Sequence, residues 1–509
     1  MAKINLDYYK NEDNNCYYIL NELKEEAVEL LKDPNNDDKV REQFGEIYYY
    51  LLSENIKDLL NWYDFKENSD ILEVSSGLGT NTKMLCKKAK TVTTINFSKT
   101  NAEITAERLK DCDNLEIIAG NLKDIELDKK FDYIVLIDVL EFFNLSSPNP
   151  VQFIRYFKDH LKEDGVIICA VSNKYGFSEF SGGVSHITGR AFDNINNYPK
   201  VKHLNVFTKR QLNQIFRMSG FSNVDFYYPI PNHYTNRVIL SDRSLSDAFI
   251  GNKIPSKFRS YYVNPNNLIN ERMLVADFMQ TDFTFFANSY LVFLSNGNSP
   301  KSYYAQVNHN ILTTLDDDCC KKSALSDKAQ AILNNMFEFY KAETERIKEN
   351  NIENIAYAKC KVEDDSLILD KAKGEPMNKL ALRVIFDHSA LLTLLTEYKS
   401  LIYKLYPKHI YQDFKVNDEV TLKNVACVEN ANIDLNMANI YKDGENYTII
   451  DYDKFSNLIP LNYIVAQGVF VLAIDSQFSF DDVEYLKLLG LSEREIAIYQ
   501  AIYAQNINK

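Results

Sequence analysis

The sequence predicts an α/β domain built on a parallel sheet, with a helical extension before it and a smaller α+β domain after it. Two observations support this prediction. From Asp70 onward, short β-rich apolar runs alternate with helical segments, and such alternation requires crossover connections between parallel strands. In addition, the 509 residues are too many for one ordinary core and correspond to about three compact units.

Residues 1–65 are predicted to form the helical N-terminal extension. Apolar residues recur at a spacing of three to four between Ile19 and Leu31, and the stretch from Phe44 to Trp62 has the same period. The cluster PNNDD at 34–38 is expected to separate the two stretches as a turn.

Residues 66–298 are predicted to hold the sheet. Five apolar runs are its expected parallel strands: DILEVSS (70–76), TVTTINF (91–97), LEIIAGN (115–121), FDYIVLIDVLEFF (131–143) and GVIICAV (165–171). Helices are expected between them at 81–90, 100–111 and 150–161, and a further helix should end at Gly220. An antiparallel pair, SNVDFYYPI (222–230) and YLVFLSN (290–296), is expected to complete the sheet.

The rest of the chain is predicted to contain a linker and helix at 299–350 and a second domain at 351–509. The segment NGNSPKS (296–302) has the composition of a linker, and a helix is expected at 324–348. The second domain should begin with strands in IAYAKCKV and SLILDKA. Helices are expected after them at about 376–386 and 389–405, and again at the C-terminus.

Composition narrows the functional classes. The net charge of −14 disfavours binding to nucleic acid or to an anionic membrane. No run approaches the ~18 apolar residues of a membrane helix, and the polar start MAKINLDYYK lacks the apolar core of a signal peptide. The eight cysteines include no Cys-x-x-Cys pair. We therefore expect a cytoplasmic protein without a transmembrane segment, and a peripheral place at the inner membrane face stays open.

A glycine turn, Ser75-Ser76-Gly77-Leu78-Gly79-Thr80, follows the first predicted strand. Glycines directly after a buried strand let the main chain turn tightly and approach a ligand closely. The next helix presents free N–H groups at the same point, which suits a carboxylate or a phosphate. Glu73, inside the end of the strand, would repel a pyrophosphate and attract an ammonium group, so the pattern differs from that of a dinucleotide site.

This combination resembles the class I S-adenosylmethionine-dependent methyltransferases over about residues 40–295. The resemblance implies a Rossmann-like seven-stranded sheet and S-adenosylmethionine as cofactor. The cofactor-binding residues that it implies are Glu73, Ser75, Gly77, Gly79, Asn96, Asn121 and Asp138. Ser75 replaces the usual first glycine, Asn96 the ribose carboxylate and Asn121 the adenine Asp. Asparagine still forms hydrogen bonds, so the ribose contact can survive. The loss of one charge-assisted bond costs on the order of 1–2 kcal/mol of binding free energy.

Methyl transfer requires in-line positioning and, for a hydroxyl acceptor, a base. The polar insertion at 172–199 lies where this family places its acceptor-binding loops. His186 is the candidate catalytic base. The alternative is that His186 is a loop histidine whose side chain only forms a hydrogen bond with the backbone. The further acceptor-binding candidates are Glu179, His203, His233 and Tyr234, and the Pro-punctuated segment 227–242 is expected to line the same cleft.

A second signature occurs near the C-terminus. Asp434 and Asn439 lie five positions apart, and Asp451 follows an apolar run after an Asp443-Gly444 turn. Phosphoryl transfer uses an Asp that accepts the hydroxyl proton, an Asn that ligates Mg²⁺ and an Asp that bridges Mg²⁺ to the phosphates.

This stretch, at about 350–509, resembles the aminoglycoside phosphotransferase and protein kinase superfamily. The resemblance implies a catalytic Asp434, metal ligands Asn439 and Asp451, and Mg²⁺ and ATP as cofactors. Lys371 is the best phosphate-binding lysine. Asn432 stands where a loop histidine is usual, and no Gly-x-Gly-x-x-Gly precedes it. The alternative is that these acidic residues are ordinary loop carboxylates.

The pairing of the two parts resembles bacterial surface-polysaccharide proteins. These include the methyltransferase–kinases of O-antigen synthesis and methyltransferases encoded among capsule and rhamnan glycosyltransferases, which share NKYG, HITG and IDYD stretches. The resemblance implies a sugar or glycan (phosphate) acceptor and glycosyltransferase partners.

Three functions stay open. They are a methyltransferase with a degenerate kinase-like domain, a bifunctional kinase–methyltransferase, and a pseudo-methyltransferase scaffold in a glycan assembly complex. A small-molecule or RNA acceptor is a further alternative, and the acidic balance argues against RNA.

Overall fold

The computed structural model divides into two compact units, one that reaches Asn308 and one that begins at His309. We call them the N-terminal unit and the C-terminal unit. The residues that the structure describes are 2–10, 25–44, 52, 58–185, 187–246, 269–279, 281–297, 299–416, 420–452, 454–476 and 480–507. The sequence had placed the boundary near 298, about ten residues earlier than the structure does.

The N-terminal unit is built on a mixed sheet. Its strands are β1 Lys3–Asn5, β2 Asp70–Val74, β3 Thr91–Asn96, β4 Leu115–Ala119, β5 Phe131–Ile137, β6 Leu161–Ser172, β7 Asn223–Ile230, β8 Val238–Ser241, β9 Ser289–Ser295 and β10 Tyr304–Asn308. They lie in the order β1-β4-β3-β2-β5-β6-β9-β7-β8-β10. Strands β1 to β6 pair in parallel, whereas β9 is antiparallel to both β6 and β7. This confirms the predicted Rossmann-like α/β sheet with its final antiparallel pair.

Helices connect these strands. They are α1 Glu25–Leu31, α2 Asp37–Phe44, α3 Asp58–Asn61, α4 Thr80–Lys88, α5 Lys99–Arg108, α6 Pro150–Asp159, α7 Phe177–Phe180, α8 Lys209–Met218, α9 Asp242–Ser246, α10 Glu271–Phe278 and α11 Phe283–Phe286. Side-chain caps define several of the starts. The Ser98 hydroxyl accepts a hydrogen bond from the Asn101 amide ahead of α5, and Thr208 and Gln211 form a capping box at α8.

The N-terminal segment differs from the prediction of an all-helical extension over 1–65. Lys3–Asn5 pairs in parallel with β4, and the Lys10 ammonium lies 2.9 Å from the Asp124 carboxylate. A three-residue strand carries too little periodicity to be recognised from sequence, because the free edge of β4 decides its conformation. The helices α1 and α2 confirm part of the extension, while most of the predicted helix at 44–62 lies outside the described residues.

The core of this unit follows the continuous apolar runs of the central strands. Ile134, Val135 and Leu136 in β5 and Ile167 to Val171 in β6 are all buried. Parallel strands covered by helices on both faces require such runs.

The described strands of the C-terminal unit pair in three groups. Their orders are β11-β12-β15-β14, β13-β20-β19-β16 and β17-β18-β21. The strands are β11 Ile311–Leu315, β12 Cys319–Ala324, β13 Ile355–Tyr357, β14 Cys360–Glu363, β15 Ser366–Asp370, β16 Glu375–Pro376, β17 Ile410–Lys415, β18 Thr421–Asn432, β19 Ile440–Asp443, β20 Asn446–Ile449 and β21 Phe455–Pro460. The helices are α12 Asp327–Glu349, α13 Met377–Arg383, α14 His388–Leu405, α15 Leu461–Ser476, α16 Asp482–Leu488 and α17 Glu493–Ile507.

The segment 299–350 is more ordered than the predicted linker with a helix. It contains β10, β11 and β12 before α12. Polar residues such as Lys321 and Lys322 in β12 mask the strand pattern, because this short strand is only partly covered and pairs antiparallel with β11 and β15. Within the described ranges, no helix has the length and apolarity needed to cross a bilayer.

Candidate cofactor and acceptor site

The strand order places a crevice at the carboxyl ends of β2 and β5. Strand β2 lies between β3 on one side and β5 on the other, with Val74 opposite Ile95 and Leu136. The chain therefore changes direction across the sheet at this point, and open α/β sheets bind ligands at such switch points. The turn after β2 and Asp138 after β5 both lie at this edge.

The turn itself departs from ordinary backbone geometry. Ser75, Gly77 and Gly79 have φ angles of 65°, 59° and 81°. The Ser75 amide donates to the Ile95 carbonyl at 2.8 Å, which ties the turn to β3. A methyl group placed on Gly77 would meet no atom within 4 Å. The main chain at Gly77 is thus uncovered, and it leads into α4, whose first residue is Thr80.

Glu73, the last residue but one of β2, is bonded to the helix that follows the turn. Its side chain is buried, and its Oε2 accepts a hydrogen bond from the Thr82 hydroxyl of α4 at 2.5 Å. Burial raises the pKa of Glu73 to about 7, against the opposing hydrogen bonds from Thr82 and Thr94. Sequence reasoning missed Thr82, although a hydroxyl in the first turn of α4 is a common partner for a buried carboxyl on the preceding strand.

The two predicted asparagines lie at the ends of β3 and β4. Asn96 is buried, and its amide nitrogen lies 3.5 Å from the Thr105 hydroxyl. Asn121 precedes the 3₁₀ turn Leu122–Asp124 and accepts the Asp124 amide at its carbonyl. Between them, a Cβ on Gly120 would come within 2.9 Å of Tyr8, so the N-terminal segment covers the end of β4. Tyr8 was not a candidate from sequence.

Asp138 and His233 meet at the other side of the turn. Asp138 directly follows β5, has a φ of 55° and lies with its Oδ1 2.9 Å from His233 Nε2. His233 belongs to the loop between β7 and β8, and the Tyr234 ring lies against it with the ring centroids 3.9 Å apart. The predicted cleft-lining segment 227–242 therefore reaches the cofactor edge through His233.

Two further carboxyl groups near the crevice are buried. The pKa of Glu141 lies well above its ordinary value, because of burial first and the nearby Asp138 charge second. Burial, together with the Asp193 charge, raises the pKa of Glu179 to about 8, against a hydrogen bond from Asn194. Glu179 lies in α7, within the predicted acceptor insertion.

The remaining acceptor candidates are less well grouped. His203 is exposed, has a φ of 66° and accepts the Asn205 side-chain amide at its carbonyl. His186, the predicted base, lies outside the described residues. The structure thus brings Asp138, His233 and Tyr234 together and leaves the role of His186 a prediction.

In the C-terminal unit, the three predicted phosphotransfer residues lie in two connected turns. The Asn439 side-chain amide donates to the Asp434 carbonyl at 2.8 Å, and Tyr398 donates to the adjacent Leu435 carbonyl at 2.8 Å. Asp451 follows the β19–β20 hairpin, has a φ of 58° and accepts the Lys322 ammonium at 2.7 Å.

The lysine at this position is Lys322 of β12. The sequence had favoured Lys371, which instead donates to the Asp316 carbonyl at 3.2 Å. Glu375, close to Lys371 in the sequence, forms a bidentate ion pair with Arg383. Lys322 was missed because its strand fell inside the predicted linker. Among the described residues, no group of three or more His, Cys, Asp or Glu side chains is arranged to hold a metal ion.

The sheet order and the turn at its switch point are those of an open α/β domain with a ligand site at the carboxyl ends of its strands. Residues 41–225 match the family model described as a methyltransferase domain. This stretch is a class I S-adenosylmethionine-dependent methyltransferase domain, and a domain of this class binds S-adenosylmethionine or S-adenosylhomocysteine.

Individual relatives are distant. A malonyl-(acyl-carrier protein) O-methyltransferase of Priestia megaterium is 23% identical over 159 residues, which cover 31% of this chain and 56% of that protein. The match thus spans little more than half the length of this relative. A methyltransferase structure from Aquifex aeolicus is 18% identical at a TM-score of 0.27, covering 39% of this chain and 92% of that one. The plantazolicin methyltransferase BamL was solved with a substrate analogue and S-adenosylhomocysteine. It is 13% identical at a TM-score of 0.31, covering 55% of this chain and 93% of that one.

Proposed function

We propose that this protein transfers a methyl group from S-adenosylmethionine to a hydroxyl of a sugar or glycan, or to a glycan phosphate, in bacterial cell-surface polysaccharide synthesis. The observation that carries the methyltransferase part is the uncovered main chain at Gly77, between β2 and α4 at the switch point of the sheet. The sugar or glycan acceptor rests on the resemblance in the NKYG, HITG and IDYD stretches. The Priestia relative is an O-methyltransferase, which agrees with an oxygen acceptor.

We assign the predicted residues separate roles in binding the cofactor and in accepting the proton. The turn at 75–80 offers its backbone to the methionine part of the cofactor, while Asn96 and Asn121 face the ribose and the adenine. The bound sulfonium supplies an activated methyl group, so the protein has only to align the acceptor oxygen with the breaking carbon–sulfur bond. The carbon–oxygen bond forms as the carbon–sulfur bond breaks, and the hydroxyl proton passes to a base, for which His186 is our candidate.

Transfer of a labelled methyl group tests this function. The full-length protein is incubated with methyl-labelled S-adenosylmethionine and nucleotide sugars or capsular polysaccharide. Label in the sugar fraction, lost in His186→Ala and retained in His160→Ala, supports the proposal. His160 is a suitable control because it is the C-cap of α6 and its Nδ1–H donates to the Tyr156 carbonyl at 2.8 Å. Label in RNA or in a small aromatic acceptor instead would refute the glycan assignment.

The alternative of a non-enzymatic scaffold makes a different prediction. A pseudo-methyltransferase would organise glycosyltransferase partners without binding the cofactor. Calorimetry decides, because absence of binding at millimolar S-adenosylmethionine leaves only the scaffold.

We place the protein in the cytoplasm, with the inner membrane face as the site where lipid-linked glycans would be met.

A second candidate function is phosphoryl transfer by the C-terminal unit. The observation that favours it is the Lys322–Asp451 ion pair beside the Asp434–Asn439 turn. A lysine and a metal-binding Asp hold the nucleotide phosphates and Mg²⁺ in such sites. A kinase–methyltransferase would phosphorylate the glycan and methylate the phosphate.

Nucleotide binding separates the bifunctional from the degenerate form. In the bifunctional form, Lys322→Met should weaken Mg-ATP binding by about tenfold or more, the scale of one charge-assisted contact. The matched variant Lys371→Met should leave the affinity unchanged. Mg-dependent ATP turnover that disappears in Asp451→Ala and persists in Asp413→Asn, an exposed ion-pair residue, would establish the kinase. Equal turnover in Asp451→Ala would exclude it.

A further inference from the structure

Two carboxylates flank the glycine turn, and they differ in their surroundings. Glu73 lies in β2 and Asp138 follows β5, the neighbouring strand. The amino-acid part of the cofactor carries one ammonium group, which requires a charged partner when it is removed from water. Either Glu73 or Asp138 could be the charged partner of this ammonium group.

Glu73 is engaged within the protein. The residue is 3% exposed, and its Oε2 is bonded to Thr82 of α4. Burial also raises the pKa of this group to about 7, so a substantial share of the protein has it neutral at physiological pH. A carboxyl group that is bonded to the following helix and is partly protonated is suited to connecting β2 with α4. It is less suited to binding a cation.

Asp138 has the opposite properties. Its side chain is 21% exposed, its backbone has a φ of 55°, and its amide N–H donates a hydrogen bond to the Ala170 carbonyl at 3.0 Å. Oδ1 is occupied by His233, while Oδ2 has no hydrogen-bond partner among the residues that the structure describes. Burial, and after it the charge of Asp138, raise the pKa of the neighbouring Glu141 well above its ordinary value.

His233 holds Asp138 in this orientation. The residue is 1% exposed, and its own amide donates to the Ser289 hydroxyl at 2.9 Å. Nδ1 has no hydrogen-bond partner in the described part of the chain. An unpaired lone pair costs less than an unpaired buried N–H, so Nδ1 is the bare nitrogen and Nε2–H donates to Asp138. The imidazole thus fixes one carboxylate oxygen and leaves the other for a ligand.

We propose that Asp138 binds the ammonium group of S-adenosylmethionine, that His233 is its positioning residue, and that Glu73 is a structural carboxyl group. This inference rests on the proposed function and reverses the assignment of the ammonium to Glu73 that the family resemblance implies. Asp138 lies one strand away from the glycine turn, so the ammonium and carboxylate of the amino acid would be held by different strands.

Calorimetry with two ligands tests the assignment without an acceptor. S-adenosylhomocysteine carries the amino-acid group, and 5′-deoxy-5′-methylthioadenosine has the same thioether nucleoside without it. Asp138→Asn should weaken binding of S-adenosylhomocysteine by about tenfold or more and leave methylthioadenosine unchanged. Asparagine tolerates the left-handed backbone, so this variant should fold. Glu73→Gln, which keeps the acceptor for Thr82, should change neither affinity.

Variants of His233 test the positioning role. His233→Ala should lose part of the preference for S-adenosylhomocysteine over methylthioadenosine, and His233→Gln should restore it, because the glutamine amide can donate from nearly the same place as Nε2. A residue that only fills the core would lower the affinity for both ligands alike.

The outcomes separate the two proposals. If the wild type binds neither ligand, the methyltransferase function fails and this assignment fails with it. If the wild type binds both, the function stands. In that case, a tenfold loss in Glu73→Gln with an unchanged Asp138→Asn overturns the assignment alone.

Discussion

At the residue scale, two non-glycine residues have positive φ angles at the ends of adjacent strands. Ser75 follows β2 at 65° and Asp138 follows β5 at 55°. Strained backbone of this kind concentrates at functional sites, where the surrounding structure holds it in place. Both residues lie at the switch point of the sheet, so the strain and the topology mark the same crevice.

Replacing Ser75 by glycine should relieve this strain. The left-handed conformation costs a residue with a Cβ about 1–2 kcal/mol, while glycine adds about 0.5–1 kcal/mol of unfolded-state entropy. We expect Ser75→Gly to be about 1 kcal/mol more stable than Ser76→Gly, the adjacent residue without a positive φ. Urea unfolding measures the difference. Equal destabilisation in the two variants would show that Ser75 carries no strain.

Glu73 should make stability depend on pH. Its pKa is about 7 in the folded protein against an ordinary value of 4.5. Between these values the folded protein binds more protons at Glu73 than the unfolded chain does, so the free energy of unfolding falls as the pH rises. The total is a few kcal/mol, at ~1.4 kcal/mol per pKa unit.

Glu73→Gln should remove this decrease in the free energy of unfolding with rising pH. Its stability relative to the wild type should increase from pH 4.5 to pH 8, whereas Glu116→Gln, an exposed residue of β4, should run parallel to the wild type. Chemical unfolding at several pH values provides the measurement. A constant difference between Glu73→Gln and the wild type would mean that Glu73 is ionised throughout.

The sequence allowed the turn residues to be predicted but not the contacts between side chains. Ser75, Gly77 and Gly79 were recognisable because a strand and a helix enclose them. The Asp138–His233 pair joins residues 95 positions apart, and no local pattern reports such a contact. The orientation of Glu73 depends on Thr82, which lies on the opposite side of the turn.

At the element scale, the predictable strands are those with long apolar runs. Most residues of strands β2 to β6 are buried, so their hydrophobic character identifies them without knowledge of their neighbours. The three-residue β1 and the partly polar β12 depend on pairing with other strands, which the sequence does not reveal. Helices such as α12 were located within a few residues because their period is long enough to detect.

Strand β1 should depend on Gly120. A Cβ at this position would lie 2.9 Å from both the Cβ and the carbonyl oxygen of Tyr8. We expect Gly120→Ala to cost about 1–3 kcal/mol through overpacking and to loosen residues 3–10 from β4. Hydrogen exchange should be faster at the amides of β1, and unchanged in the control Gly77→Ala. Unchanged exchange in both variants would contradict the close packing of Tyr8.

At the scale of the whole molecule, the chain combines two units with separate cores and separate candidate sites. The first is a class I methyltransferase domain by its sheet and by the family match over 41–225. In the second, the Asn439 side chain donates to the Asp434 carbonyl, and Asp451 forms an ion pair with Lys322. Both candidate sites could be predicted from the sequence because each depends on a short local motif, and their roles stay predictions. The unit boundary was harder to locate, because β10 and β11 on its two sides fell inside the predicted linker.

The most direct test of the central claim is calorimetric titration of the full chain with S-adenosylhomocysteine, in the wild type and in two glycine variants. Gly77 and Gly444 both have a φ near 60° and open space around their Cα, so alanine imposes the same strain at each. Our account predicts one site in the wild type, a loss of at least about tenfold in Gly77→Ala because the Cβ blocks the ligand, and no loss in Gly444→Ala. Equal affinities in all three proteins, or no binding by the wild type, would contradict it.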